Sequence, residues 1–183
     1  GYVFPDMPFQ SIGFQNALNI HDQESYFGLN QYNIKQKSYY SNLIFNSIID
    51  NTMNKFSTGI NFAYDKYEEF VNLFDHSRTD NSLGIFFEYT YDNTSNFSFV
   101  LGGRFDNHNR IGAFFTPRLH VRYNPWEKSV IRFSAGRGIR SANIFAENQQ
   151  LFGSSRNFEI INSGGKIYGL NPEIAWNYGL SFN

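Results

Sequence analysis

The chain has 183 residues, with Lys+Arg 15 against Asp+Glu 16 and a net charge of -1, so no charged field marks it for nucleic acid or an acidic partner. Cysteine is absent, which excludes a disulfide framework, thiolate zinc sites and a thiol nucleophile. Aromatic residues make up 19%, mostly Phe 21 and Tyr 12, and no apolar run approaches the roughly 18 residues of a membrane helix.

The chain opens Gly1-Tyr2-Val3-Phe4-Pro5 with neither Met nor a leader pattern, as expected of a processed form or an excised piece. A first strand is expected from about Phe9 to Ile20, followed by a polar loop at His21-Asp22-Gln23-Glu24. Tyr39 to Ile49 reads as a strand of mixed parity. Asn42 and Asn46 make its even face wet while Ile44 and Ile48 share that face, so a bulge is expected somewhere within it.

The next strands alternate more cleanly. Phe56, Thr58, Ile60, Phe62 and Tyr64 oppose Ser57, Gly59, Asn61, Ala63 and Asp65, a period of two with one apolar face. Leu83, Ile85, Phe87, Tyr89 and Tyr91 oppose Ser82, Gly84, Glu88 and Thr90, with Phe86 breaking the rule. Phe97, Phe99, Leu101 and Phe105 oppose Ser98, Gly102, Arg104 and Asp106. Leu119, Val121 and Tyr123 alternate with Arg118, His120 and Arg122, and Ile131, Phe133 and Ala135 with Arg132, Ser134 and Gly136. The last strand sets Trp176, Tyr178, Leu180 and Phe182 against Ala175, Asn177, Gly179 and Ser181.

The connections alternate in length. Short ones run Asp50 to Asn54, Asp92 to Asn96 and Asn124 to Lys128, and long ones cover roughly residues 67 to 81, 107 to 114 and 139 to 171. Short turns at one end and long loops at the other mark an outer-membrane barrel. Tyr89, Tyr91, Tyr123 and Trp126 fall beside the short turns, where an aromatic girdle would meet the bilayer boundary. A soluble antiparallel sheet with its dry face inward produces the same alternation and stays the rival reading. The expected fold is all-β: an antiparallel up-and-down meander, part of a large transmembrane β-barrel, with residues 1–183 forming one partial-barrel domain of about eight strands.

Several stretches occur in a telling order. Gly102-Gly103-Arg104-Phe105-Asp106 leads to Thr116-Pro117-Arg118, then to Arg132-Phe133-Ser134-Ala135-Gly136-Arg137-Gly138-Ile139-Arg140, then to Asn171-Pro172-Glu173-Ile174-Ala175-Trp176-Asn177-Tyr178-Gly179. This succession, over about half the chain, resembles the C-terminal barrel of TonB-dependent outer-membrane receptors, particularly the variety in Bacteroidetes-like bacteria. The resemblance implies a 22-stranded, plugged barrel that imports a scarce nutrient (an iron chelate, cobalamin or a glycan) using energy delivered by TonB. It implies as partners the nutrient, a plug domain and TonB contacted through the parent chain, and outer-membrane lipid, with no nucleic acid and no cofactor. No plug, TonB box or terminal aromatic strand is recognisable, so a mid-barrel piece is expected. The alternatives are a soluble β-sheet ligand-binding module, a porin, or an outer-membrane enzyme.

Under that reading Arg104, Asp106, Arg118, His120, Arg122 and Arg132 line the lumen, where they contact the plug, line a substrate path, or form a mutually neutralising ladder. Ser141 to Leu170 is the expected recognition element, with Phe145, Glu147, Arg156 and Tyr168 as ligand-binding candidates; a packing lid over neighbouring loops is the alternative. Gly136-Arg137-Gly138 lacks the spacing of a phosphate loop, and His21, His76, His108 and His120 lack metal-ligand spacing. No Ser sits in a nucleophile elbow, so no catalytic residue is expected.

Overall fold

The computed structural model describes residues 1–154 and 159–183. Its strands are β1 (Tyr2–Phe4), β2 (Met7–Phe27), β3 (Asn30–Ile49), β4 (Asn51–Val71), β5 (Phe74–Asp75), β6 (Arg78–Asp92), β7 (Phe97–His108), β8 (Gly112–Tyr123), β9 (Ile131–Arg140) and β10 (Glu173–Phe182). They form a single antiparallel sheet in chain order, except that β5 folds back on β4, and β4 pairs onward with β6. The eight long strands are those the alternation predicts. The expected meander and all-β class are what the chain adopts.

Register explains the two faces. Tyr39, Tyr64, Phe62, Leu83 and Ile85 share one face with Phe105, Phe115, Leu101 and Leu119, because each occupies a matching parity along paired strands. Many large side chains of this face are exposed; Leu18 is 73% exposed, Ile60 50% and Leu180 77%. Among the described residues, the buried apolar cluster lies on the opposite face, around Tyr32, Ile34, Val71, Phe145 and Phe152. A soluble domain would put its large apolar residues in the core. Here the sequence spends them on the outside, as a wall against hydrocarbon does.

The apolar band has a sharp upper limit. One cross-strand row on the outer face reads Leu18, Tyr39, Tyr64 and Asn81, and the next reads Ile20, Lys37, Lys66 and Thr79. Beyond it the outer face carries Asp22 paired with Lys35 at 3.3 Å and Lys66 paired with Glu68 at 2.7 Å. On β4, Asn54 through Tyr64 spans 11 residues from the short-turn end to that limit, against the ~9–11 residues a tilted strand needs to cross a bilayer. β2, β3 and β4 are about twice as long, at 21, 20 and 21 residues. Their upper halves therefore stand clear of the hydrocarbon as a three-stranded extension.

Three expected connections are corrected by the long strands. The polar stretch His21-Asp22-Gln23-Glu24 lies within β2, paired with Gln36, Lys35, Ile34 and Asn33. The connection expected over 67 to 81 is mostly strand, with β4 running to Val71 and β6 starting at Arg78. That expected over 107 to 114 narrows to the turn between His108 and Gly112. Only the third, between Arg140 and Glu173, is long. The bulge expected within Tyr39 to Ile49 sits at its very end, where the register shifts between Ile48 and Ile49 beside Asp50, whose φ is 66. Phe86 keeps its polar-face parity. It lies over Gly59, where a Cβ would come within 2.7 Å of the Phe86 ring, so the glycine opposite makes room for it.

A charge placed mid-band on the apolar face tests the boundary. Ile60→Arg is expected to destabilise the barrel of the intact protein by ~2–4 kcal/mol, while Lys37→Gln, above the limit, changes little. Denaturant unfolding in lipid vesicles checks both; equal effects would contradict the boundary.

Candidate functional site

The polar face carries everything that is not wall. Along β4 the residues of this face run Asn61, Ala63, Asp65, Tyr67, Glu69, Val71, and along β6 Glu88, Phe86, Gly84, Ser82, Asp80, Arg78. On the extension this face is covered by the connection between β9 and β10. That connection contains a short helix (Ile144–Glu147) and a 3-10 turn (Gln149–Gly153).

The cover is seated by rings first. Phe152 is fully buried and stacks on Phe27 and Tyr32 at ring-centre distances of 5.7 and 5.8 Å. Phe145, 4% exposed, meets His76 at 4.7 Å and Tyr168 edge-on at 5.3 Å. Asn30 Nδ2 donates to the Phe152 carbonyl at 2.9 Å, tying the β2–β3 turn to the cover.

Beside the rings lies a buried ionic network. Glu69, 1% exposed, accepts from Tyr32 Oη at 2.9 Å, from Arg78 Nη1 at 2.8 Å and from Tyr168 Oη. Arg78 also donates to Asp80 at 3.2 Å, to Tyr168 Oη at 2.6 Å and to Asn143 Oδ1. Its guanidinium lies over the Tyr67 and Tyr168 rings, 4.0 and 4.7 Å from their centres. Arg110 closes the chain at 2.9 Å from Asp80, and its Nη1 reaches the Lys166 carbonyl at 3.2 Å. Two carboxylates and two guanidiniums balance, which offsets the cost of burying Glu69, Arg78 and Asp80.

Two phenols, Tyr32 and Tyr168, belong to this network as donors, and Tyr67 lends it a ring. Burial, then the neighbouring Glu69, raises the Tyr32 hydroxyl above the ordinary range. Burial and its bond to Glu69 raise Tyr168 likewise. Tyr67 is pushed up to about 12, by burial and then by Asp65. All three stay protonated at neutral pH and available to donate. Tyr168 holds a backbone φ of 52, in the left-handed region. Such a conformation costs a non-glycine residue ~1–3 kcal/mol, so its hydroxyl and ring contacts must hold it there.

The ligand-binding candidates fall in different places. Phe145 and Tyr168 come together, packed against the extension. Glu147 forks to Arg140, accepting at 3.1 and 3.0 Å, and Arg140 also reaches Glu173 at 2.7 Å. Arg156 lies outside the described residues. Arg104, Asp106, Arg118, His120, Arg122 and Arg132 all share the polar face. There Arg104 grips Asp106 through two bonds of 2.7 Å, and Arg118 pairs with Glu88. Glu69, Arg78, Asp80, Arg110 and Asn143 were not among the candidates. Glu69, Arg78 and Asp80 sit in the stretch that reads as a loop; the signal that would have found them is that they continue the polar-face parity of β4 and β6.

The family described as TonB dependent receptor-like, beta-barrel matches residues 3–183. Among solved structures, the siderophore receptor PirA from Pseudomonas aeruginosa is similar with a TM-score of 0.63 at 15% identity, over 94% of this chain and 36% of that chain. PirA from Acinetobacter baumannii is similar with a TM-score of 0.57 at 12% identity, over 96% of this chain and 33% of that one. At these identities the likeness shows the shared fold. The chain spans about a third of each receptor's length. No curated protein matches it.

The ionic network predicts how the cover is held. Removing one partner of a buried pair costs ~3–5 kcal/mol, so Glu69→Ala in the intact protein should expose Asn143 to Phe152 to hydrogen exchange. Arg140→Gln, at an exposed pair, should cost no more than ~1 kcal/mol. Exchange measured by mass spectrometry distinguishes them; unchanged protection in Glu69→Ala would show that the rings alone hold the cover.

Proposed function

The chain belongs to the TonB-dependent receptor β-barrel family, and from that premise we propose that it forms one stretch of the barrel of an outer-membrane receptor importing an iron chelate. The single observation that carries the proposal is the family match over residues 3–183. The two-sided wall supports it: a band as tall as a bilayer on one face, ionised groups on the other, and an extension standing clear of the lipid. An iron chelate is preferred to cobalamin or a glycan because both solved neighbours are named as siderophore receptors.

In this reading the polar face lines the lumen, and Arg104, Asp106, Arg118, His120, Arg122 and Arg132 look into it. A plug domain of the parent chain occupies that space, and TonB acts on the parent chain to release the cargo inward. The stretch 141–170 is the recognition element. Phe145, Glu147 and Tyr168 fix its shape on the wall, and Arg156 offers a cation to an anionic chelate. The work is binding and movement without covalent chemistry; both the family and its solved neighbours are transport receptors rather than enzymes.

The test uses the full-length receptor as the only iron-chelate receptor in a host cell. Uptake of labelled ferric siderophores should be saturable, should stop when a protonophore collapses the inner-membrane gradient, and should be lost on excising residues 141–170. Uptake that is unsaturable and indifferent to the gradient would mean a porin.

A further inference from the structure

We infer that His120, Arg122 and Arg132, at the short-turn end of the polar face, form the docking point for a carboxylate-bearing protein segment seated against the wall. The inference rests on the reading of this face as the lining of a filled barrel, and it names a place and a chemistry where the filling is held.

Ion pairs occupy the upper and middle rows of the polar face, where Asp65 is held instead by hydrogen bonds from Ser38 and Gln36. Glu69, Arg78, Asp80 and Arg110 balance on the extension. Arg104 with Asp106 and Arg118 with Glu88 balance in the middle. The last rows break the pattern: their carboxylate, Asp92, shares the row of Ser98, Arg122 and Arg132 but lies two strands from Arg122 and forms no ion pair with it. None of the ion pairs among the described residues includes His120, Arg122 or Arg132. Arg122 and Arg132 moreover sit directly opposite each other on β8 and β9, and like charges in that relation repel. The group that faces Arg132 is a neutral amide, Asn183, whose oxygen accepts at 2.9 Å once its amide is oriented to satisfy both partners.

The surroundings leave room for a visitor. Ser98, Ser134, Gly179 and Ser181 pave the face around the three basic groups, and an open hollow of about 420 Å³ lies over them. Two guanidiniums side by side offer paired donors that match a carboxylate in shape as well as charge. Lipid phosphate is not the occupant, because this face is the one turned away from the apolar band. Passing cargo is a poor occupant too, since the repulsion between Arg122 and Arg132 persists whenever no cargo is bound. A resident acidic segment relieves it permanently.

The test compares four forms of the full-length receptor in porin-poor outer membranes: unaltered, lacking the domain upstream of the barrel, Arg122→Glu/Arg132→Glu, and Arg122→Lys/Arg132→Lys. Passive entry of a hydrophilic antibiotic reports whether the barrel is filled, and heat-modifiable gel migration reports whether it is folded. The form lacking the upstream domain should leak, the Glu form should leak several-fold more than the unaltered receptor, and the Lys form should stay sealed. A folded Glu form that stays sealed overturns the inference, as does a Lys form that leaks as much as the Glu form. A Glu form that stays sealed but loses iron-chelate uptake assigns the patch to the cargo and overturns it as well. If the Glu form does not fold, Arg122→Gln/Arg132→Gln takes its place, with the same outcomes. A form without the upstream domain that does not leak sinks the filled-barrel reading instead.

Discussion

Hydrocarbon offers the peptide backbone no hydrogen-bond partner, so a strand can cross it only with both neighbours in register. That constraint fixes most of what this chain does. Pairing runs without a break from β2 to β10, and among the described residues the register shifts only between Val3 and Phe4 and between Ile48 and Ile49. Both shifts lie near strand ends, where the ladder stops mattering. With the backbone committed, side chains have two directions left, and the solvent on each side selects most of them: Phe, Leu, Ile and Tyr toward lipid, most Arg, Asp, Asn and Gly away from it, with Arg137 the outward exception on β9, where it donates to the Phe115 carbonyl. The small size of the buried apolar cluster follows. The lipid takes over the role that a core plays in water.

The same constraint decides what could be read from the sequence. Within the bilayer the two sides differ sharply, so alternation is forced and Phe56 to Tyr64 announces itself as a strand. Above the Tyr39–Tyr64 row both faces carry polar groups. The ladder continues, but alternation of polarity fades, and β2 through His21 to Glu24 or β4 through Glu68 and Glu69 reads as loop. The strands were legible as far as the hydrocarbon reached and no farther. Phe86 shows a second kind of concealment. Its parity is regular, and only the cross-strand partner Gly59, invisible from within β6, explains how a large ring fits on the polar face.

The candidate site was half legible for a related reason. Phe145, Glu147 and Tyr168 stood out because aromatic and charged residues are conspicuous in a long glycine-containing connection. Their partners did not. Glu69 and Arg78 are separated from Tyr168 by 99 and 90 positions, and nothing local in either segment signals the other. The six polar-face residues from Arg104 to Arg132 share a face because parity is a local property. How they divide into paired and unpaired groups depends on neighbours such as Glu88, and that emerges only in three dimensions.

The cover over the extension shows why charge, and not grease alone, was needed above the membrane. The extension has water on its outer face, so its inner face must hold the covering segment without help from lipid. Phe145, Phe152, Tyr32, Ile34 and Val71 supply an apolar seat, but such contacts are non-directional and tolerate sliding. Arg78 removes that freedom. It must satisfy Glu69, Asp80, Tyr168 and Asn143 together while its flat group stays over two tyrosine rings, and few placements of the segment meet all of those demands. A misplaced segment would leave an ion buried and unpaired, a far larger penalty than a shifted ring. Rings bring the cover down onto the sheet, and the buried ions decide where on the sheet it rests.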